Sequence, residues 1–181
     1  MAELGVRGAT VRVIASEAGV STGFVMHYFP DKEHLLDAVL EHNTARAAGR
    51  VFAVRRRQRG TEGLAALLET LLPLDADRRL EWQVWSAYWT HAQPSDGTAQ
   101  GIERLRHLLA DLLVTCLRDA VGQGEFRADL DLNYEAERLI ILAGGLGLFS
   151  GGTMTATAAR KLARQMIDDH IETLTIVVPA P

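Results

Sequence analysis

The stretch from Thr10 to Lys32 leaves the backbone very few courses. Thr10 is a helix-capping residue type. Behind it Val11, Ile14, Ala15 and Ala18 recur at helical spacing. Gly19 follows, suited to the tight left-handed turn that ends a helix. After Val20, Ser21 is a second cap and opens a short helix over 22–29. Pro30 cannot continue that helix, and Asp31 caps the next. Two short helices joined by a glycine-containing turn of three or four residues form a helix-turn-helix. Val20, Val25 and Phe29 are expected to pack on Val11, Ile14 and Ala15 and so fix the angle between the two helices.

The remainder repeats at helical spacing as well. Helices are expected from Asp31 toward Val54, from Thr61 to Pro73, over 80–91 and 98–122, and over 132–150 and 155–175. The breaks fall at Gly60, at Gln93-Pro94-Ser95-Asp96-Gly97, at Gly122-Gln123-Gly124 with a connector to Asp131, and at Gly151-Gly152. One short run, Thr175-Ile176-Val177-Val178, has strand character, and Pro179 follows it. The expected class is all-α, with a helix-turn-helix domain over 1–43 and a helical ligand-binding and dimerisation domain over 44–181. A chain of 181 residues can bury such a core.

Composition removes other classes. A single cysteine, Cys116, excludes a disulfide scaffold or a Cys-rich zinc module and suits a reducing compartment. The apolar run 139–149 is about half of what a bilayer-spanning helix needs. No leader pattern opens the chain, so the expectation is a cytoplasmic protein without membrane contact. The net charge of −4 divides unevenly. Residues 1–59 hold nine basic and six acidic side chains, a +3 head, and the rest carries −7. Such asymmetry fits a nucleic-acid binder. It also fits a chance excess with a solvated face at Arg55-Arg56-Arg57.

In a helix-turn-helix the second helix offers its N-terminal residues to the major groove. Thr22 and Gly23 are small enough for close approach to base edges and phosphates. Arg12 can fork onto guanine or a phosphate. Phe24 suits a thymine methyl, and His27 and Tyr28 can donate to phosphates. Lys32 supplies a point charge for the flanking backbone.

Thr10-Val11-Arg12, Ala18-Gly19-Val20-Ser21, Val25, His27-Tyr28-Phe29, Lys32-Glu33 and Leu35-Leu36 together resemble the DNA-binding domain of TetR/AcrR-family transcriptional regulators, over about residues 4–40. The resemblance implies a homodimeric, ligand-responsive regulator, a repressor on a palindromic double-stranded operator. It places the DNA contacts on Thr10, Arg12, Thr22, Gly23, Phe24, Met26, His27 and Lys32. Met26 departs from the family pattern, which has a tyrosine there. Trp85-Ser86-Ala87-Tyr88-Trp89 and Gly124-Glu125-Phe126-Arg127 are similar to the body of the BetI-like subgroup. Members of the family begin with a full helix, of which Met1-Ala2-Glu3-Leu4-Gly5 would be the last turn. The expectation is a missing N-terminal segment, since without that helix the apolar faces around Ile14, Val25 and Phe29 lose a partner, at a cost of several kcal/mol (about 25 cal/mol per Å² exposed).

All three tryptophans lie within eight residues. Trp82, Trp85 and Trp89 share one helical face, with Tyr88 beside them. They read either as ordinary core or as the wall of a pocket for a small-molecule effector. The run 139–149 is apolar on nearly every side, which requires burial on both faces. Its three glycines suit close approach of another helix. The expected homodimer is therefore a four-helix bundle formed by 132–150 and 155–175 of each subunit; the alternative is two core helices of a monomer. No catalytic motif is present and no enzyme, cofactor or metal is expected. Gly145-x-Gly147-x-x-Ser150 falls inside a helix rather than after a strand. Asp168-Asp169-His170 with Glu172 reads as a solvated face, and His42, His91 and His107 stand without ligand-spaced neighbours. A second function stays open: a helical ligand-binding protein whose truncated head no longer holds DNA.

Overall fold

The computed structural model describes residues 10–91 and 96–175, without the side chains of 87–91, 96–99 and 151–153. The expected remnant of a first helix and most of the short strand candidate lie outside the described residues. Those described form eight helices: α1 (Val11–Glu17), α2 (Thr22–Tyr28), α3 (Lys32–Arg57), α4 (Gly60–Leu71), α5 (Ala76–His91), α6 (Asp96–Gly122), α7 (Leu132–Thr153) and α8 (Ala156–Leu174). The chain is all-α, and β pairing among the described residues is an isolated bridge between Phe126 and Thr175. No helix among the described residues is long and apolar enough to cross a membrane.

Most helix starts are fixed locally. Thr10, Ser21, Asp31, Asp131 and Thr155 each accept a backbone N–H from the first turn of the helix they precede. Asp75 does the same for α5 through Arg78 at 2.8 Å, so this helix starts four residues ahead of the expected 80. α4 has no such side chain of its own. Its cap comes from the connector: Glu125 accepts both the backbone N–H and the hydroxyl of Thr61, each at 2.7 Å. Those two bonds hold the Glu125 carboxyl below its usual range.

Two expected breaks differ from the structure. Asp96 and Gly97 belong to α6 rather than to the loop before it. α7 runs through Gly151-Gly152 and stops at Met154, whose extended backbone delivers Thr155 as the cap of α8. Glycine ends a helix when its backbone turns left-handed, as Gly19 does at φ +67 and Gly124 at φ +74.

Apolar packing forms three clusters strung along α3. In the head, Ala15, Val25 and Leu35 are buried with Val11, Ile14 and Phe29 around them. Val20 is not among them; it sits outside at 36% exposure, and Leu35 of α3 takes the place expected for it. At the joint, Leu40 meets Val84, flanked by Leu36, Val39, Trp85 and Ile102. The body core is the largest. It collects Val51 of α3, the leucines of α4, Leu113 and Leu117 of α6, Leu139 of α7, and Ile167 and Ile171 of α8 around the connector's Phe126. α3 thus passes without interruption from the head into the body.

Candidate nucleic-acid interface and apolar cavity

α2 divides its side chains by direction. Val25 points inward, while Phe24, Met26 and Tyr28 are 53%, 42% and 63% exposed. Thr22, Gly23 and His27 are exposed as well, and so are Thr10 and Arg12 at the start of α1. Lys32, in the first turn of α3, is half-buried. The Tyr28 ring is ordered by its neighbours, 5.1 Å from Phe24 and edge-on to His27 at 5.2 Å. The nine residues expected at the interface therefore fall at the start of α1, along the exposed side of α2 and in the first turn of α3. The hydroxyls of Thr10 and Ser21 also carry a structural duty, as caps for Val13 and Phe24.

Beyond Arg12 and Lys32, the described basic residues of 1–59 do not lie on this surface. Arg46, Arg50, Arg55, Arg56 and Arg57 occupy the body half of α3, and Arg59 follows it. Arg55 and Arg59 both reach Asp119, at 2.6 and 3.4 Å, and hold its carboxyl below the usual range. Arg55 is therefore part of a half-buried ion pair, not of a solvated face. Arg46 and Arg50 converge on Glu81. A count along the sequence cannot see this, because the partners are 31 to 64 residues away.

Glu81 belongs to a second site, of which the sequence marks the tryptophans but not the charged residues. A cavity of about 190 Å³ opens between α3, α4, α5, α6 and α7. Trp82, Trp85, Leu105, Leu109, Ile140 and Ala143 give it an apolar wall. Arg50, Arg78, Arg106 and Glu81 are its charged members. The Glu81 side chain is 7% exposed and is gripped by both terminal nitrogens of Arg50, one at 2.9 Å, while Arg46 Nε lies 3.3 Å away. Asn43 donates to the Glu81 backbone carbonyl at 3.1 Å. One turn of α5 is thereby clamped to α3. Glu81 stands four residues before Trp85 on one helical face, and a carboxylate on that apolar stripe was the available clue.

Trp82 and Trp85 serve both as core and as cavity wall. Trp82 donates its indole N–H to the Leu71 carbonyl at 2.7 Å, and its six-membered ring lies against Gly147 of α7. Trp85 belongs to the joint cluster. Tyr88 and Trp89 are on the same helix, with side chains outside those described.

The outer side of α7 and α8 is apolar and open. Ile141 and Phe149 are each 72% exposed, Tyr134 and Leu148 less so, and Leu162 and Met166 of α8 lie at the edge of exposure. At the seam between these helices His170 is largely buried, 3.3 Å from Glu135, so it is not part of a solvated face. Burial, with Arg138 nearby, pushes the His170 imidazole below its usual value. His107 likewise has a carboxylate one turn away, Glu103 at 3.0 Å, which it shares with Arg106. Among the described residues no three His, Cys, Asp or Glu side chains gather as a metal site would require. Cys116 is buried, and burial pushes its thiol up, away from the reactive thiolate.

Residues 1–39 match the family described as bacterial regulatory proteins, tetR family, and residues 60–175 match the BetI-type transcriptional repressor C-terminal domain. The HTH-type transcriptional regulator BetI of Escherichia coli K12 is 30% identical over 184 residues, covering 94% of this chain and 88% of the relative. The regulator PksA of Bacillus subtilis is 29% identical, with 96% and 83% covered. A transcriptional regulator of Saccharomonospora viridis, solved in complex with choline, superposes with a TM-score of 0.85 at 28% identity, over 97% of this chain and 91% of that one. A transcriptional regulator of Rhodococcus gives 0.84, also at 28% identity, over 98% and 92%.

Proposed function

The chain belongs to the TetR family of bacterial regulatory proteins, with a BetI-type C-terminal domain, and from that premise we propose that it is a cytoplasmic repressor, not an enzyme, that binds a palindromic operator as a homodimer and answers to a small molecule. In this reading residues 1–43 serve DNA binding and 44–181 ligand binding and dimerisation, with α3 crossing from one to the other. Thr10, Arg12, Thr22, Gly23, Phe24, Met26, His27, Tyr28 and Lys32 are the DNA contacts in this reading. The effector sits in the cavity against Trp82 and Trp85, with Tyr88 and Trp89 further along the same helix. The regulator solved with choline supports an effector of low molecular weight for this fold.

The observation that carries the reading is the open apolar face of α7 and α8. Ile141 and Phe149, both 72% exposed, are eight residues apart on one side of a helix whose other side is in the core. Apolar surface of that kind is unfavourable by about 25 cal/mol per Å² left in water. A second copy related by a two-fold axis covers it with the same residues, and the same axis sets two reading heads on one palindrome.

Sedimentation and fluorescence anisotropy test this together. The expected mass is twice 19.8 kDa. Two-fold symmetric duplexes selected from a random pool should bind with steep salt dependence. Lys32→Ala should weaken all sites about equally, whereas Arg12→Ala should also relax base preference, by about 1–3 kcal/mol at the affected base pair. A monomer at micromolar concentration with no sequence preference would overturn the proposal.

A further inference from the structure

α3 and α6 face each other at two levels, and an ion pair joins them at only one. Near the body ends of both helices Arg55 and Asp119 pair at 2.6 Å. Toward the head a cleft of about 380 Å³ opens, with Asp37, Leu40, Glu41 and Thr44 of α3 on one wall and Arg104 and Leu105 of α6 on the other. Glu41 stands fourteen residues before Arg55, and Arg104 stands fifteen before Asp119. The two helices therefore run in one direction, and Glu41 and Arg104 share a level about 21 Å above the pair already made. Both are exposed, and neither has an ion-pair partner among the described residues. The Arg104 guanidinium is turned back over its own helix instead, with a terminal nitrogen 3.8 Å from where a Cβ on Gly101 would sit. Leu40 comes within 3.9 Å of that same point, so the apolar floor of the cleft is in contact while its charged rim is open.

From this register we propose that α3 has a second position against α6, in which the cleft is closed and an ion pair between Glu41 and Arg104 latches the head in place. Packed helices lie about 8–10 Å apart, a gap that an arginine and a glutamate on facing sides span together. The pair of Arg55 with Asp119 is the fixed end. Closure is then a small rotation of α3 about that end, and the head, at the other end of the helix, moves through the larger arc. An exposed ion pair is weak, and a weak latch biases two positions rather than fixing one. Leu105 lines both the cleft and the apolar cavity. A molecule filling the cavity presses on the wall that α3 must approach, which couples the latch to the effector; this last step alone rests on the reading of the cavity as the effector site.

A disulfide forms only when two Cα atoms come within about 4.4–6.8 Å, so cross-linking reports the approach of the two walls without any ligand. Thr44→Cys with Leu108→Cys, one turn below the latch, leaves both charges in place, and the native Cys116 is buried. Oxidation of this full-length protein should form the disulfide within one chain. Adding Arg104→Glu should slow its formation at least threefold, and adding Glu41→Arg as well should restore the rate. The oxidised protein should differ at least tenfold from the reduced one in affinity for the selected duplex. If Leu108→Cys prevents folding, Asp37→Cys with Gly101→Cys reports from the turn above. Absence of the disulfide, a rate indifferent to Arg104→Glu, or an operator affinity unchanged by oxidation would each overturn the proposal. A protein that cross-links as expected but holds no duplex would support the latch and overturn the repressor reading.

Discussion

A methyl group added at Gly23 would meet nothing nearer than the Ser21 hydroxyl, at 3.8 Å. Nothing inside the protein requires glycine there, and a helical glycine is less favourable than alanine by up to about 1 kcal/mol. The requirement then lies outside, in whatever approaches the start of α2. Gly23→Ala should raise thermal stability by a few tenths to about 1 kcal/mol and lower operator affinity at least tenfold, as melting and anisotropy would show; unchanged affinity would remove Gly23 from the interface. Gly147 is the reverse case. A Cβ there would overlap the Trp82 ring, so Gly147→Ala should destabilise by about 1–3 kcal/mol through overpacking, read from denaturant unfolding. The sequence told of a close approach at this glycine, because such a residue is expensive in a helix without one. It did not tell what approaches, since the partner comes from α5 of the same chain, 65 residues earlier.

At the scale of elements, what was legible is what is local. Thr10, Ser21 and Asp31 announce their helices because a cap is made with the next three residues, and they fix the side chains proposed for the interface that ride on those helices. The joints between helices were hidden, since Arg50 with Glu81 and Arg55 with Asp119 look in sequence like loose charges. The seam between α7 and α8 is another such joint, and it has a pH signature. His170 is held below its usual pKa, first by burial and then by Arg138, while Glu135 pulls the other way. The unfolded chain therefore binds the proton more readily than the folded one. Stability from this group is complete above the ordinary value of 6.5 and is lost as pH falls below it. His170→Phe should flatten the decline in melting temperature between about pH 7 and 5. A parent and variant with parallel profiles would show that His170 does not titrate with unfolding.

For the molecule as a whole, the two exposed surfaces impose one requirement on each other. The head offers a few side chains on two seven-residue helices, and on the proposed palindromic operator such a unit would read only one half. Affinity for the full site comes from holding a second head at the correct distance, which turns its binding into an intramolecular step at an effective concentration in the millimolar range and gains about 10²–10⁴ overall. In the proposed dimer the link between the heads runs from α2 through α3 into the body and out to the face of α7 carrying Ile141 and Phe149. A charge at either position meets its own symmetry mate across a two-fold contact, so Ile141→Glu combined with Phe149→Glu should split the dimer at little cost to the monomer's fold, both side chains being 72% exposed. The expected variant keeps its helical circular dichroism, sediments near 19.8 kDa and loses at least a hundredfold in affinity for the palindrome. Its affinity for an isolated half-site should match the parent's, because the head is untouched. If instead the variant stays dimeric, the partner copy does not sit on this face; if it becomes monomeric yet holds the palindrome like the parent, the two heads do not act as a pair.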